Sequence, residues 1–235
     1  MTIQKVHFQI FTSMKKITAN IATRPKRYNE LRKTLRSIDG QFDEIRIYLN
    51  ESDTVPEWLQ KYTVVTGENL TDNGKFYFCQ FAKNEIYCTL DDDIIYPSNY
   101  AISMRAAINS FGSIVSHHGR ILVALDVSYY GGHRFFHCAN NQTELTQIDV
   151  CGTGVTAFDT NYFNPKDIYK SEHKCMSDLV FSHEAAKNKK IITVLPHEVG
   201  WIKPLLVNES IYSKFRHNEL DQICIANEIF LLKKA

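Results

Sequence analysis

Three consecutive carboxylates, Asp91, Asp92 and Asp93, are the residues of this sequence best suited to chemistry, and they follow the apolar run 86–90 directly. Adjacent carboxylates repel one another unless a cation neutralises them, and a hard divalent ion with oxygen ligands is the natural candidate. The alternative is a solvated acidic turn that caps a helix beginning near Pro97. Because the residues that follow the triplet are mostly apolar, the pattern favours a binding site.

Two other strand ends carry polar side chains that suit a nucleotide. Thr23-Arg24 and Asn50 each follow a strand-like segment, and together they could contact a base and a ribose, although a plain turn would explain either one alone. Lys75 is a single cation between polar loop residues and Phe76. It could bind a phosphate or lie exposed to solvent.

The second half of the chain offers candidates for a base and for a nitrogen ligand. Asp178 opens an apolar helical segment, where it could be a general base or could favour the helix N-terminus electrostatically. His197 follows a strand-like run and could ligate a Mn²⁺-like ion or be a structural histidine. Residues 152–154 read Gly-Thr-Gly and lack the third glycine of a dinucleotide fingerprint, so we expect them to allow close approach of the backbone to a ligand.

These residues need a scaffold that gathers strand ends, and the first half of the chain alternates strand-like with helix-like patterns. Such alternation predicts a mostly parallel sheet covered on both faces, with ligands outside the carboxyl ends of the strands. The segment before Asp126 would place that residue at the same edge. The expected strands are 16–22, 44–49, 62–66, 86–90, 120–125, 150–158 and 191–195, and the expected helices are 26–38, 76–83, 97–111 and 176–187.

Composition excludes several classes of protein. The 235 residues contain 27 Lys and Arg against 26 Asp and Glu, so the formal charge of +1 provides no general attraction to nucleic acid. No run approaches the ~18 apolar residues needed to cross a bilayer. The six cysteines form no Cys-x-x-Cys pair, and with no recognisable signal peptide they indicate a cytoplasmic protein.

Taken in order, seven segments resemble the GT-A fold of nucleotide-sugar-dependent glycosyltransferases, and most of all the family-2-like bacterial transferases that build surface polysaccharides. The resemblance implies an α/β fold with a Rossmann-like, mixed, mostly parallel sheet flanked by helices in a single domain. This domain would span 1–204, with a nucleotide-binding half at about 15–126, an acceptor half at about 127–204, and a helical tail at 205–235. The segments are IATRPKRYNELRKTLRSI, DEIRIYLNES, DNGKFYF, YCTLDDDIIYPSNY, GTGVTAF, MSDLVFSHEA and VGWIKP.

The resemblance also implies roles for single residues. The triplet would be the DxD motif, with Asp91 near the ribose and Asp93 on the Mn²⁺ or Mg²⁺ that bridges the diphosphate. His197 would complete the metal site, although Glu198 is adjacent and could substitute, and Asp178 would be the base of an inverting enzyme. The nucleotide-sugar site would comprise Thr23, Arg24, Asn50, Lys75, Asp91 and Asp92, and the acceptor side would be bordered by Gly152, Thr153 and Gly154.

The implied partners are a nucleotide-sugar donor, expected to be a UDP-sugar, and a glycan or lipid-linked acceptor. The metal would stabilise the leaving diphosphate while Asp178 takes the proton of the acceptor hydroxyl. The amphipathic tail would either dock on the domain or contact the inner face of a membrane.

Two other functions fit parts of the pattern. A sugar nucleotidyltransferase would carry a glycine-rich basic loop after its first strand, where this chain reads ATRPKRY without a glycine. A non-catalytic carbohydrate- or nucleotide-sugar-binding protein on the same fold would not need the complete set of Asp93, Asp178 and His197.

Overall fold

The computed structural model describes residues 14–207 and 219–234. In these residues the strands are β1 (Lys16–Thr23), β2 (Glu44–Asn50), β3 (Thr63–Gly67), β4 (Glu85–Leu90), β5 (Ile94–Ile95), β6 (Ile114–Ser116), β7 (Gly119–Ile121), β8 (Arg134–Phe136), β9 (Thr146–Ile148), β10 (Val150–Cys151), β11 (Val155–Asp159), β12 (Ile192–Val194) and β13 (Lys203–Pro204). The α-helices are α1 (Tyr28–Ser37), α2 (Tyr100–Phe111), α3 (Ser177–Lys187) and α4 (Leu220–Leu232).

The main sheet has eight strands in the order β3-β2-β1-β4-β11-β6-β12-β9. Strands β3, β2, β1 and β4 run parallel, β11 runs antiparallel to both of its neighbours, and β9 is antiparallel to β12. All six residues of β4 are buried, as expected for a central strand covered on both faces. The prediction of a mixed, mostly parallel sheet in a single domain is confirmed.

Alternate residues of β4 enter different cores, because successive side chains of a strand point to opposite faces. Cys88 and its same-face neighbours pack with α1 and α2, where Leu31 and Met104 are fully buried. Tyr87 packs on the other face with Phe158 and with Phe181 of α3. Helices therefore cover both faces of the sheet and leave the carboxyl ends of its strands accessible.

Two strand predictions need correction. The expected strand 120–125 is β7 only, which belongs to a separate three-stranded sheet β10-β7-β8, and Val123 and Leu125 are exposed. The main sheet instead takes β6, whose three residues are too few to show a clear period. The expected strand 150–158 is two strands, β10 and β11, which a turn at 152–154 directs into different sheets.

One helix differs from the sequence-based expectation, and the tail follows one of its two expected alternatives. The helix expected at 76–83 is a 3-10 helix at Thr71–Gln80, which begins five residues earlier. The tail forms α4, and Ile225, Ala226 and Ile229 pack against Leu179 and Ala186, so this helix docks on the domain. Residues 208–218 of the predicted tail lie outside the described residues. Among the described helices, none combines the length and the apolar character that crossing a bilayer requires.

Candidate active site

A cleft of about 740 Å³ lies at the carboxyl ends of β1, β2 and β4. It brings together most of the residues that the sequence selected, from both halves of the chain. The predicted residues that line it are Thr23, Arg24, Asn50, Lys75, Asp91, Asp92, Asp93, Thr153 and Asp178.

The backbone of the acidic triplet is fixed from two sides. Thr34 of α1 is fully buried, and its hydroxyl lies 2.9 Å from both the Asp92 and Ile94 carbonyl oxygens. The Asp91 N–H donates to Tyr96 Oη at 2.9 Å, and that hydroxyl donates to the Gly154 carbonyl at 2.6 Å. The turn after β4 is therefore held to α1 and to the segment that precedes β11.

Each carboxylate of the triplet has its own partners. Lys75 Nζ, which is almost fully buried, contacts Asp91 Oδ1. Asp92 accepts from Thr23 Oγ1 at 2.6 Å and from Arg27 at 3.0 and 3.3 Å, and Arg27 also reaches Asp93 at 2.6 Å. Lys75 and Arg27 therefore contact all three carboxylates, which lie close together after the end of β4.

Burial, together with the proximity of the other carboxylates, changes the titration of Asp92 and Asp93. Burial raises the pKa of Asp93 to about 6, assisted by the charges of Asp91 and Asp92 and opposed by Arg27. Burial also raises the pKa of Asp92. A cation in the cleft would relieve both effects.

The residues present fit a hard divalent ion. The side chains of Asp91 and Asp93 are 40% and 26% exposed, so their oxygens are accessible from the cleft. Clustered carboxylate oxygens are the donor set that Mg²⁺ and Mn²⁺ prefer.

Three of the predicted nucleotide ligands use their side chains to shape the cleft. Asn50 donates to the Thr23 and Thr71 carbonyls at 3.2 and 3.0 Å, and it accepts from the Leu70 N–H at 2.8 Å. The Thr23 hydroxyl donates a hydrogen bond to the Asp92 carboxylate. These residues line the cleft, but their hydrogen bonds are made within the protein, and direct contact with a nucleotide stays a prediction.

Asp178 faces the triplet from the start of α3. Its Oδ1 accepts from both the N–H and the Oγ1 of Thr153 at 2.7 Å, and within the described residues its Oδ2 accepts no hydrogen bond. The Ser177 N–H donates to Asp72 Oδ2 at 3.0 Å, so the 3-10 helix holds the first turn of α3. Burial raises the pKa of Asp178, while the Thr153 hydrogen bonds and the charge of Lys75 oppose the rise.

The glycines at 152 and 154 do not line the cleft themselves. A Cβ at Gly154 would lie 2.1 Å from Asp91 Oδ2, and one at Gly152 would lie 2.6 Å from His118 Cδ2. Both positions therefore require glycine because a neighbouring side chain of the cleft occupies the space. The close approach expected from the sequence is an approach of the backbone to protein side chains.

The structure places His197 and Asp126 elsewhere. His197 is buried, and its Nδ1 lies 3.3 Å from His117 Nδ1 and 2.9 Å from the Leu195 carbonyl. It is not among the residues lining the cleft, and its role as a metal ligand stays a prediction. Asp126 bonds to Asn227 of α4 and is likewise outside the cleft.

Several cleft residues were missed by the sequence analysis. Arg27 follows the first strand by one turn, a spacing that could have suggested it.

His118 and His137 line the opposite wall, and with Cys138 they place three potential ligand atoms within 4.8 Å of one another. Burial and then the charge of Arg120 lower the pKa of His118 to about 3, and that of His137 is lowered for the same reasons. For His137, the sequence signal was the aromatic stretch YYGGHRFFH at residues 129–137.

Among solved structures, the chain is similar to S. aureus TarS, a glycosyltransferase. The structure of TarS residues 1–349 in complex with UDP-GlcNAc matches with a TM-score of 0.50 at 12% identity, over 84% of this chain and 60% of TarS. A second TarS structure matches with a TM-score of 0.46 at 16% identity, over 78% of this chain and 59% of TarS.

These similarities concern the fold. No protein-family model and no curated protein sequence matches the chain. The chain spans about three fifths of the TarS chains that it matches. The first of these matches shows a Rossmann-like glycosyltransferase fold, the fold class that the sequence predicted.

Proposed function

We propose that this chain is a metal-dependent glycosyltransferase that moves a sugar from a UDP-sugar to a glycan or lipid-linked acceptor, in the synthesis of a bacterial surface polysaccharide. The observation that carries the proposal is the composition of the cleft. Accessible carboxylates of the acidic triplet lie on one wall, and Asp178, held by Thr153, faces them from the other. The fold likeness to TarS, which was solved with UDP-GlcNAc, supports the same assignment.

In this proposal Asp91 and Asp93 hold Mn²⁺ or Mg²⁺, which when bound would stabilise the charge that develops on the leaving diphosphate. Lys75 contacts Asp91 and fixes its orientation, and Arg27 does the same for Asp92 and Asp93. Both cations are pre-positioned, so little reorganisation is needed when the donor binds.

Asp178 would take the proton from the acceptor hydroxyl as that oxygen attacks the anomeric carbon, in a single displacement that inverts the configuration. Thr153 fixes one carboxylate oxygen and leaves Oδ2 for the proton. The N-terminus of α3 favours the ionised form that a base requires. A general base of this kind contributes roughly 10²–10⁴-fold to the rate.

The experiment is a nucleotide-sugar screen with the purified full chain. We expect release of UDP from a UDP-sugar, tested first with UDP-GlcNAc, in the presence of Mn²⁺ and a mixture of bacterial surface glycans, and no release in EDTA. Matched reactions with GDP-sugars and ADP-sugars test whether the enzyme selects the uracil base of the donor. Saturable, Mn²⁺-dependent binding of UDP-sugars without turnover would instead identify a non-catalytic binding protein, and full activity in EDTA would refute the metal dependence.

A further inference from the structure

Arg120 of β7 is a buried cation in the wall of the cleft that lies away from the acidic triplet. The residue is 8% exposed and lines the cleft. Its guanidinium carbon lies 4.4 Å from the ring centre of Tyr129 and 4.4 Å from that of Phe135. The guanidinium therefore packs on both rings in the wall of the cleft.

The hydrogen-bonding capacity of Arg120 is mostly unused. Of its five N–H donors, one bonds to Tyr129 Oη at 3.2 Å, and in the part of the chain that the structure describes no carboxylate pairs with it. Among the described residues, four other cations with largely buried side chains each contact a carboxylate, namely Arg27, Arg46, Lys75 and Arg105. No carboxylate contact of this kind is present for Arg120 within the same residues.

A buried charge without a counter-ion is costly, since neither ring supplies an acceptor for its remaining donors. The neighbouring His118 and His137 supply no negative charge, and burial and then the charge of Arg120 lower the pKa of both. The guanidinium group matches the geometry of phosphate and carboxylate groups, which it binds through two parallel hydrogen bonds.

The position of Arg120 relates it to the acceptor side. It pairs in register with Val150 of β10, and the chain continues from there through the turn that carries Thr153, the partner of Asp178. The triplet has its own cations in Lys75 and Arg27. A donor diphosphate would be bound at the triplet, so the charge of Arg120 is available to a different group.

We propose that Arg120, clamped by Tyr129 and Phe135, is an anion-binding subsite that takes a phosphodiester or carboxylate group of the acceptor. The existence of the anion site follows from Arg120 itself, and only its assignment to the acceptor rests on the proposed function. A phosphate-containing glycan and a uronic-acid-containing glycan present the same chemistry to this arginine.

The test is calorimetric titration of the full chain with dimethyl phosphate and, separately, with glucuronate, each in the absence and presence of saturating UDP and Mg²⁺. We expect saturable binding of at least one probe, retained when UDP is bound, and the probe that binds distinguishes the two sources. Arg120→Met should weaken this binding at least tenfold. Arg134→Met, on the adjacent strand β8, removes an exposed arginine outside the cleft and should leave it unchanged.

Three results would overturn the subsite. They are no binding of either probe at tens of millimolar, equal binding by wild type and Arg120→Met, and loss of binding when UDP is added, which would assign Arg120 to the donor. If Arg120→Met does not fold, Arg120→Lys keeps the charge without the fork and should weaken binding about threefold to tenfold. Anion binding through Arg120 in a protein that turns over no nucleotide sugar would uphold the subsite and refute the proposed function.

Discussion

The two walls of the cleft differ in whether their buried cations contact a carboxylate. On the triplet wall, buried cations and carboxylates are paired, with Lys75 on Asp91 and Arg27 on Asp92 and Asp93. On the opposite wall, Arg120 is buried between two rings and has no acidic partner among the described residues.

This difference in pairing distinguishes two kinds of buried cation. Lys75 and Arg27 hold the shape of the cleft, whereas Arg120 is available to a ligand. A paired cation satisfies a neighbour and holds geometry, so its removal costs stability. An unpaired buried cation costs stability while the protein is alone, and the cost is recovered when an anion binds. Asp178 faces the triplet from the start of α3 and lines the same cleft.

The largest expected effect comes from substituting Asp178, which faces the triplet across the cleft. Asp178→Asn keeps the size of the side chain and can keep accepting from Thr153, but it cannot take a proton. We expect turnover to fall by roughly 10²–10⁴-fold while the affinity for donor changes little. Steady-state kinetics and donor titration measure the two quantities. Asp126→Asn, outside the cleft, is the control and should be active; near-normal turnover of Asp178→Asn would remove it from the mechanism.

The second prediction compares the two cations directly. Lys75→Met leaves Asp91 without its counter-ion and should lower the free energy of unfolding by about 1–3 kcal/mol. Arg120→Met keeps the contacts with both rings and removes an uncompensated charge, so unfolding of the ligand-free protein should change by less than about 1 kcal/mol. Urea denaturation of the two variants measures both. Equal destabilisation by the two substitutions would mean that Arg120 stabilises the fold as Lys75 does. That result would contradict the proposed difference between the two walls.

The smallest expected effect concerns pH. The pKa of Asp93 is raised from 3.8 to about 6, so between these values the folded protein holds this proton more tightly than the unfolded chain does. Stability therefore falls as pH rises through this window. In EDTA at pH 8, Asp93→Asn should raise the Tm by about 2–4 °C, and at pH 3.5 it should have little effect.

The exposed Asp53→Asn serves as the control for this last experiment, because it removes a carboxylate of the same kind from solvent. Adding Mn²⁺ should stabilise the wild type and leave Asp93→Asn unchanged. A loss of stability in Asp93→Asn at pH 8 would show that the Arg27 contact outweighs the repulsion within the triplet.

Local patterns predicted the scaffold well where elements are long. The buried strand β4 is visible in the sequence as a continuous apolar run, and the amphipathic helix α1 is visible by its helical period. Short elements were missed because they show no such pattern, as in the three residues of β6. The apolar run that includes Val123 looked like a strand, although that side chain is exposed. The strand ends then located most of the cleft, because parallel strands end at one edge.

By itself, the sequence determined the acidic triplet after a buried strand, the aspartate at the start of α3, and the sheet that brings them to one edge. The tertiary structure alone decided what those side chains touch. Arg27 reaches the triplet, Arg120 lies between two rings, and His197 turns to His117, through contacts between segments far apart in the chain. Side-chain partners depend on how distant segments pack, and no local period records that packing.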